Sequence, residues 1–103
     1  LIRFKGRKDS LVKHQGYRIE LGEIEHEIVN NLKLVPNCCV VYDNANKCIV
    51  LFYEENGVTE VQIRKALGES FPRYMVPTVY HVMDELPRNT NGKIDRLKLS
   101  QMI

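Results

Sequence analysis

Hydrophobic and polar positions alternate loosely in SLVKHQGYRIEL, with Leu11 and Val12 before Gly16 and Tyr17, Ile19 and Leu21 after it. A two-residue period on both sides of a glycine predicts two short strands joined by a turn at HQG. The preceding LIRF is a shorter alternation and predicts a strand end. From Gly22 the period lengthens. Leu21, Ile24, Ile28 and Leu32 recur at steps of three and four, the spacing of one buried helical stripe. Glu23, Glu25 and Glu27 crowd the first half of that helix, where the helix dipole favours negative charge. They are expected mostly as helix-stabilising surface. Pro36 and Asn37 are expected to end the helical region.

Two β-rich runs follow, CCVVYD and CIVLFYEE, joined by the turn residues DNANK, which predicts a hairpin. Thr59 and Gln62 have the spacing of a capping box, and Val58 and Ile63 that of a hydrophobic staple. They predict a helix from Glu60 to about Ser70 with Ile63, Ala66 and Leu67 on its apolar face. FPRYMVP is an extended stretch bracketed by prolines, TVYHVM is a third strand, and IDRLKLSQMI is a short turn or helix. The order predicts one small α+β domain over residues 1–103. It has an N-terminal hairpin, a sheet of about three strands and two main helices.

A chain of 103 residues suits one domain with one modest core. No apolar run approaches the roughly 20 residues that cross a bilayer, so no membrane segment is expected. LIRFKGRKDS mixes charge with apolar residues, unlike a signal peptide, and begins without Met, which predicts a piece cut from a longer protein. Cys38, Cys39 and Cys48 have no CxxC spacing and predict buried free thiols in a reducing, cytoplasmic setting. On a strand, Cys38 and Cys39 point to opposite faces. His14, His26 and His81 are scattered and give no metal-ligand spacing.

The net charge of +2 is small but uneven. Arg3, Lys5, Arg7, Lys8, Lys13 and Arg18 stand near one end against Asp9 alone. Arg88, Lys93, Arg96 and Lys98 stand near the other against Asp95 alone. Two basic ends that converge would make a site for a phosphate or carboxylate; a merely solvated surface is the equal alternative. The aromatic residues form no base-stacking strand motif, so no nucleic-acid partner is expected. Two basic loops exceed what the fold needs, KHQGYR and NTNGK, and loops carry function more often than scaffolds do. In the second, Asn91-Gly92 predicts a tight turn with positive φ at both central positions, projecting Lys93 from its tip.

GRKDSLVKHQGYRIELGEIE (6–25) resembles the opening of the small carboxy-terminal subdomain of adenylate-forming enzymes. PRYMVPTVYHVMDELPRNTNGKIDR (72–96) resembles its close. That family includes nonribosomal peptide synthetase adenylation domains, D-alanine-carrier-protein ligases, acyl-CoA synthetases and luciferases. The two segments lie in order at the expected ends, so the resemblance covers essentially the whole chain.

The resemblance implies a mobile lid on a ligase that joins a carboxylate to AMP from ATP and passes the acyl group to a thiol. The large N-terminal subdomain, which holds most of the ATP, Mg2+ and substrate contacts, is not within these residues. The fragment alone is expected to be inactive. Lys93 matches the catalytic lysine, in a loop spanning 88–96, with Asn91 and Gly92 shaping the turn beneath it. An ordinary lysine ammonium is charged at neutral pH, and one set between carboxylate and α-phosphate neutralises both. Asp9 matches the hinge and Arg7 a residue near the nucleotide. The 11–21 hairpin matches the loop that lines the thiol channel, with Gly16 at its turn and Lys13 and Arg18 beside it. Glu20 and Glu25 match structural positions, and Tyr74, Met75 and Pro77 packing ones. GYRIELGEIE resembles the amino-acid-activating branch. It favours an amino acid substrate, D-alanine among the candidates, and the phosphopantetheine of an acyl or peptidyl carrier protein over coenzyme A. An acyl-CoA synthetase lid and a non-catalytic interaction domain of the same fold are the alternatives.

Overall fold

The computed structural model describes residues 11–14 and 16–103, so the expected LIRF strand end lies outside them. β1 (Leu11–His14) and β2 (Tyr17–Glu20) form an antiparallel hairpin with Val12 opposite Ile19 and Lys13 opposite Arg18. Gly16 takes φ 85° at the turn, a conformation L side chains disfavour. The chain passes directly into α1 (Leu21–His26), with Glu20 as its cap: the Gly22 N–H donates to Glu20 Oε1 at 3.0 Å. α1 continues as one π-helical turn, Glu27–Asn31. Leu32 N–H closes it on the Glu27 carbonyl (2.8 Å) and Leu34 N–H on that of Ile28 (3.0 Å). Lys33 between them is left-handed, φ 51°. The helix therefore stops ahead of Pro36, by its own carbonyl capping rather than by the proline.

The central sheet has the order β3 (Cys38–Asp43), β4 (Cys48–Glu54), β5 (Val79–Met83). β3 and β4 are the expected hairpin, Val40 opposite Leu51. Its DNANK turn is held by Asp43 Oδ1, which accepts from the N–H groups of Ala45 and Asn46. β5 instead runs parallel to β4. Parallel neighbours need a long connection, and α2 (Glu60–Ser70) with a single 3-10 turn at Arg73–Met75 supplies it. The capping box on α2 forms as its sequence predicts, Gln62 N–H to Thr59 Oγ1 and Thr59 N–H to Gln62 Oε1.

Alternation along the strands divides the interior. Cys38, Val40, Ile49, Leu51 and Tyr53 pack with Leu21, Ile24 and Ile28 of the first helix and Ile63 and Leu67 of α2. Cys39, Val41, Val50 and Phe52 face the other way, onto Leu86 and Leu99. Both faces of the sheet are covered, which is why CCVV and CIVLFY read as unbroken apolar runs. All three thiols are free, and burial pushes the Cys38 thiol well above its ordinary value, with the nearby Glu25 carboxylate adding to the shift.

α3 (Arg96–Ser100) is too short to persist on its own. Three things hold it: Asp95, whose Oδ1 accepts from the Lys98 N–H at 3.0 Å; the fully buried Leu99; and Arg96. Burial of a leucine contributes about 2 kcal/mol. Arg96 reaches β3, the edge strand, where Val40 turns its N–H and C=O away from β4. Arg96 Nη1 donates to the Val40 carbonyl at 2.7 Å, and the Glu25 Oε2 accepts the Val40 N–H at 2.6 Å. Arg96 and Glu25 also pair with each other at 2.6 and 2.8 Å. Glu25 is thus no surface carboxylate: its side chain is 18% exposed, and it joins α1 to α3 across 71 residues. The correction has a simple cause. A free sheet edge must bond something, and α1 places Glu25 beside it.

Arg96→Ala should lower the unfolding free energy by about 2 kcal/mol, the partial exposure of the pair discounting the larger loss seen for fully buried ones. Arg96→Lys should recover only part of that, because an ammonium lacks the guanidinium fork. Urea denaturation of the three proteins checks this; equal midpoints would show that the clamp does not secure the edge.

Candidate functional site

The lysine loop is built from its base upward. Arg88 and Ile94 form an antiparallel bridge, and Asp95 N–H donates to the Pro87 carbonyl at 2.8 Å. Within it, Asn89 N–H donates to the Lys93 carbonyl at 2.8 Å and Gly92 N–H to the Asn89 carbonyl at 3.0 Å. The turn is therefore centred on Thr90 and Asn91, and Gly92 follows it in the left-handed region, φ 80°. Asn91 is not at positive φ, contrary to the two-residue turn its Asn-Gly sequence suggests. This is the three-residue hairpin loop with a left-handed glycine. Asn89 sets the register: its Oδ1 accepts from the N–H groups of Asn91 (2.9 Å) and Lys93 (3.1 Å). Lys93 stands exposed where the chain leaves the turn, and among the described residues its ammonium has no hydrogen bond or ion pair.

Each foot of the loop is tied to the sheet by a carboxylate. On the incoming side, Glu54 accepts from Leu86 N–H (2.9 Å) and Asn37 Nδ2 (2.9 Å) and lies 3.5 Å from Arg88. Burial alone would raise the Glu54 pKa. The bonds from Asn37 and Leu86 and the Arg88 charge outweigh it and hold the carboxyl below its usual value. On the outgoing side stands the Arg96–Glu25 clamp. Two of the four cations near this end are thereby spent on carboxylates, which leaves Lys93 and Lys98.

The second loop carries Lys13, Gly16 and Arg18. With Leu11 and Val12 these line an open cavity of about 300 Å³. Lys13 and Arg18 lie opposite each other across the hairpin, both exposed. Like charges in that position destabilise a strand pair, so structure alone gives no reason for them. The hairpin is fastened at its tip instead by rings. Tyr17 stacks on Tyr74 at 3.8 Å between centroids, and His14 Nδ1 lies 2.9 Å from the Tyr42 hydroxyl. Tyr74 therefore packs against the first hairpin rather than simply positioning the last strand, while Pro77 is buried as expected.

Among the described residues no hydrogen bond or ion pair joins the two loop tips; Arg3, Lys5, Arg7 and Lys8 of the first basic end lie outside them. The feet of the two loops do meet: Val12 from the hairpin, Leu21 at the start of α1, and Arg96, Leu97 and Ser100 from α3 line a common cavity of about 250 Å³. Arg7 and Asp9 lie outside the described residues. Sequence reasoning missed Asn89 and Glu54. The Asx spacing of Asn89 to Asn91 was a usable signal for the first; Glu54 had none, because its partners are distant in sequence.

Comparison with known proteins agrees with this architecture. The family model for the AMP-binding enzyme C-terminal domain matches residues 23–93. The chain is 40% identical over 103 residues to tyrocidine synthase 3 of Brevibacillus parabrevis, covering 97% of this chain and 2% of that protein. It is also 40% identical over 101 residues to surfactin synthase subunit 1 of Bacillus subtilis (strain 168), covering 95% and 3%. Among solved structures, Klebsiella oxytoca NpsA in complex with 3-hydroxyanthranilyl-AMSN superposes with a TM-score of 0.82 at 26% identity, over 94% of this chain and 20% of that one. The chain thus spans a few per cent of the curated relatives and about a fifth of the solved one.

The depressed Glu54 pKa has a sign that can be measured. Its contribution to stability is present above the ordinary glutamate value of about 4.3 and is lost as pH falls through the lower folded value. Urea midpoints should therefore fall more steeply on the acid side for the wild type than for Glu54→Gln. Parallel curves would show that Glu54 does not anchor the loop.

Proposed function

The chain belongs to the AMP-binding enzyme C-terminal domain family, and we propose that it is the mobile lid of an ATP-dependent ligase that activates a carboxylate, an amino acid in the first instance, and transfers it to a phosphopantetheine thiol. The observation that carries this reading is Lys93. Its ammonium is exposed and unpaired among the described residues, on a loop whose backbone is closed by four hydrogen bonds around Asn89. Stability does not require a cation there.

In adenylation a carboxylate oxygen bonds to the α-phosphorus and the bond to the bridging oxygen breaks, releasing pyrophosphate. Charge builds on oxygens that start negative. Lys93, brought between them by the lid, stabilises that charge without giving up its proton. Rotation about a hinge at Asp9 would then withdraw Lys93 and present the Gly16 loop. There Lys13 and Arg18, whose juxtaposition weakens the hairpin, meet the phosphate of phosphopantetheine or an acidic carrier protein. Arg7 would contact the nucleotide or bridge to the N-terminal subdomain, the partner this lid closes on. Among the described residues no cluster of His, Cys, Asp and Glu is arranged to hold a metal ion. We assign Mg2+ and most ATP contacts to that N-terminal subdomain. No helix of the described residues is long and apolar enough to cross a membrane. A cytoplasmic setting is part of the proposal, as the compartment of the ATP the ligase consumes. The 40% identity to tyrocidine synthase 3 and to surfactin synthase subunit 1, with the GYRIELGEIE resemblance, supports an amino acid and a carrier thiol over a fatty acid and coenzyme A. An acyl-CoA synthetase lid is the alternative, and the acid and acceptor that respond decide it.

Carboxylate-dependent exchange of pyrophosphate into ATP by the full-length parent should fall at least about 100-fold in Lys93→Ala. Transfer from pre-made acyl-adenylate to the thiol should persist, and across a panel of amino and fatty acids the responding acid identifies the substrate. Unchanged exchange in Lys93→Ala would refute the catalytic reading, leaving a non-catalytic domain of this fold.

A further inference from the structure

Resting on the role proposed for Lys93, we infer that Asn89 is the positioning residue for that lysine. Lys93 has a long, flexible stem and no side-chain partner among the described residues, so only its backbone fixes where the ammonium can reach. That backbone is held almost wholly by one residue. The Asn89 N–H donates to the Lys93 carbonyl, the Asn89 carbonyl accepts from Gly92, and the Asn89 Oδ1 accepts from both Asn91 and Lys93 N–H groups, at 2.8 to 3.1 Å. The two main-chain bonds survive any substitution; the two to Oδ1 do not.

Those two side-chain bonds act on the Thr90–Asn91 and Gly92–Lys93 amide planes, on either side of the Asn91–Gly92 peptide that the main-chain bond holds. Gly92 has no Cβ, and an added Cβ would meet nothing within 4 Å, so packing does not restrain it. Without Oδ1, the Gly92–Lys93 peptide loses the bond to its N–H and can rotate about Gly92, and the Lys93 Cα–Cβ vector swings with it. A misplacement of about 1 Å at a reacting group costs up to about 100-fold in rate. Asn89 itself is exposed, and its carboxamide packs into neither core cluster. Its loss therefore falls on lysine placement rather than on the fold. What Oδ1 supplies is an acceptor two residues before Asn91, which aspartate also supplies.

The test is a double-mutant cycle in the full-length parent, read by carboxylate-dependent pyrophosphate exchange. Asn89→Ala should lower the exchange kcat by about 10- to 100-fold, with the KM for ATP within about threefold of wild type, because ground-state nucleotide contacts lie elsewhere. Asn89→Asp should restore most of the rate. In a Lys93→Ala background, Asn89→Ala should have no further effect, since a residue acting only through Lys93 has nothing left to position. If Lys93→Ala lowers exchange but Asn89→Ala does not, the positioning role fails and the lysine's role stands. If Asn89→Ala costs as much with Lys93 absent as present, or Asn89→Asp fails to restore the rate, Asn89 acts by another route. If Lys93→Ala leaves exchange intact, both readings fall together. Near-ultraviolet circular dichroism of each variant excludes misfolding as the source of any loss.

Discussion

Val40 presents a backbone donor and a backbone acceptor to the open side of an edge strand, and the rest of the structure depends on how they are met. Glu25 takes the N–H and Arg96 the C=O, and the two ions pair with each other. A buried edge left unbonded costs free energy comparable to the lost hydrogen bonds and invites pairing with another chain. Here the same contact does architectural work. Glu25 lies in the helix that follows the first hairpin without a break, and Arg96 opens the helix that follows the lysine loop without a break. One ionic pair therefore fixes the feet of both basic loops against the same strand.

That arrangement suits the motion proposed for the lid. A lid that presents one loop for adenylation and the other for thiol transfer must turn as a rigid body, or the rotation is absorbed internally. Rigidity at the feet, from Glu25–Arg96 and Glu54–Arg88, contrasts with exposure at the tips, where Lys93, Lys13 and Arg18 find no acidic partner among the described residues. Carboxylates pair with Arg88 and Arg96 at the feet and leave Lys93 without an acidic partner among the described residues.

What the sequence disclosed follows the range of the interactions. α2 was legible from Val58, Thr59, Gln62 and Ile63 because capping and stapling are decided within one turn. The two hairpins were legible from alternation and turn residues. The opposite facing of Cys38 and Cys39 followed from the strand period. The Glu25–Arg96 pair was not legible, because nothing local tells a clamp from a surface glutamate when the partner is 71 residues away. Parallel pairing of β5 with β4 likewise depends on where α2 carries the chain. The turn under Lys93 was misread for a subtler reason. Asn91-Gly92 alone suits a two-residue turn, but Asn89 accepts from the Asn91 and Lys93 N–H groups and shifts the centre back by one residue. As for the site, its candidate residues came from family resemblance. Asn89, the side chain proposed to position Lys93, came from the structure.

The most direct measurement is a crystal structure of the full-length parent with its carboxylate and an ATP analogue that cannot transfer. The account predicts the Lys93 Nζ about 2.8 Å from an α-phosphate or carboxylate oxygen, the distance of a charge-assisted hydrogen bond, with the Asn89 bonds to Asn91 and Lys93 intact. A closed lid with Lys93 in solvent and a different cation between the reacting groups would contradict it.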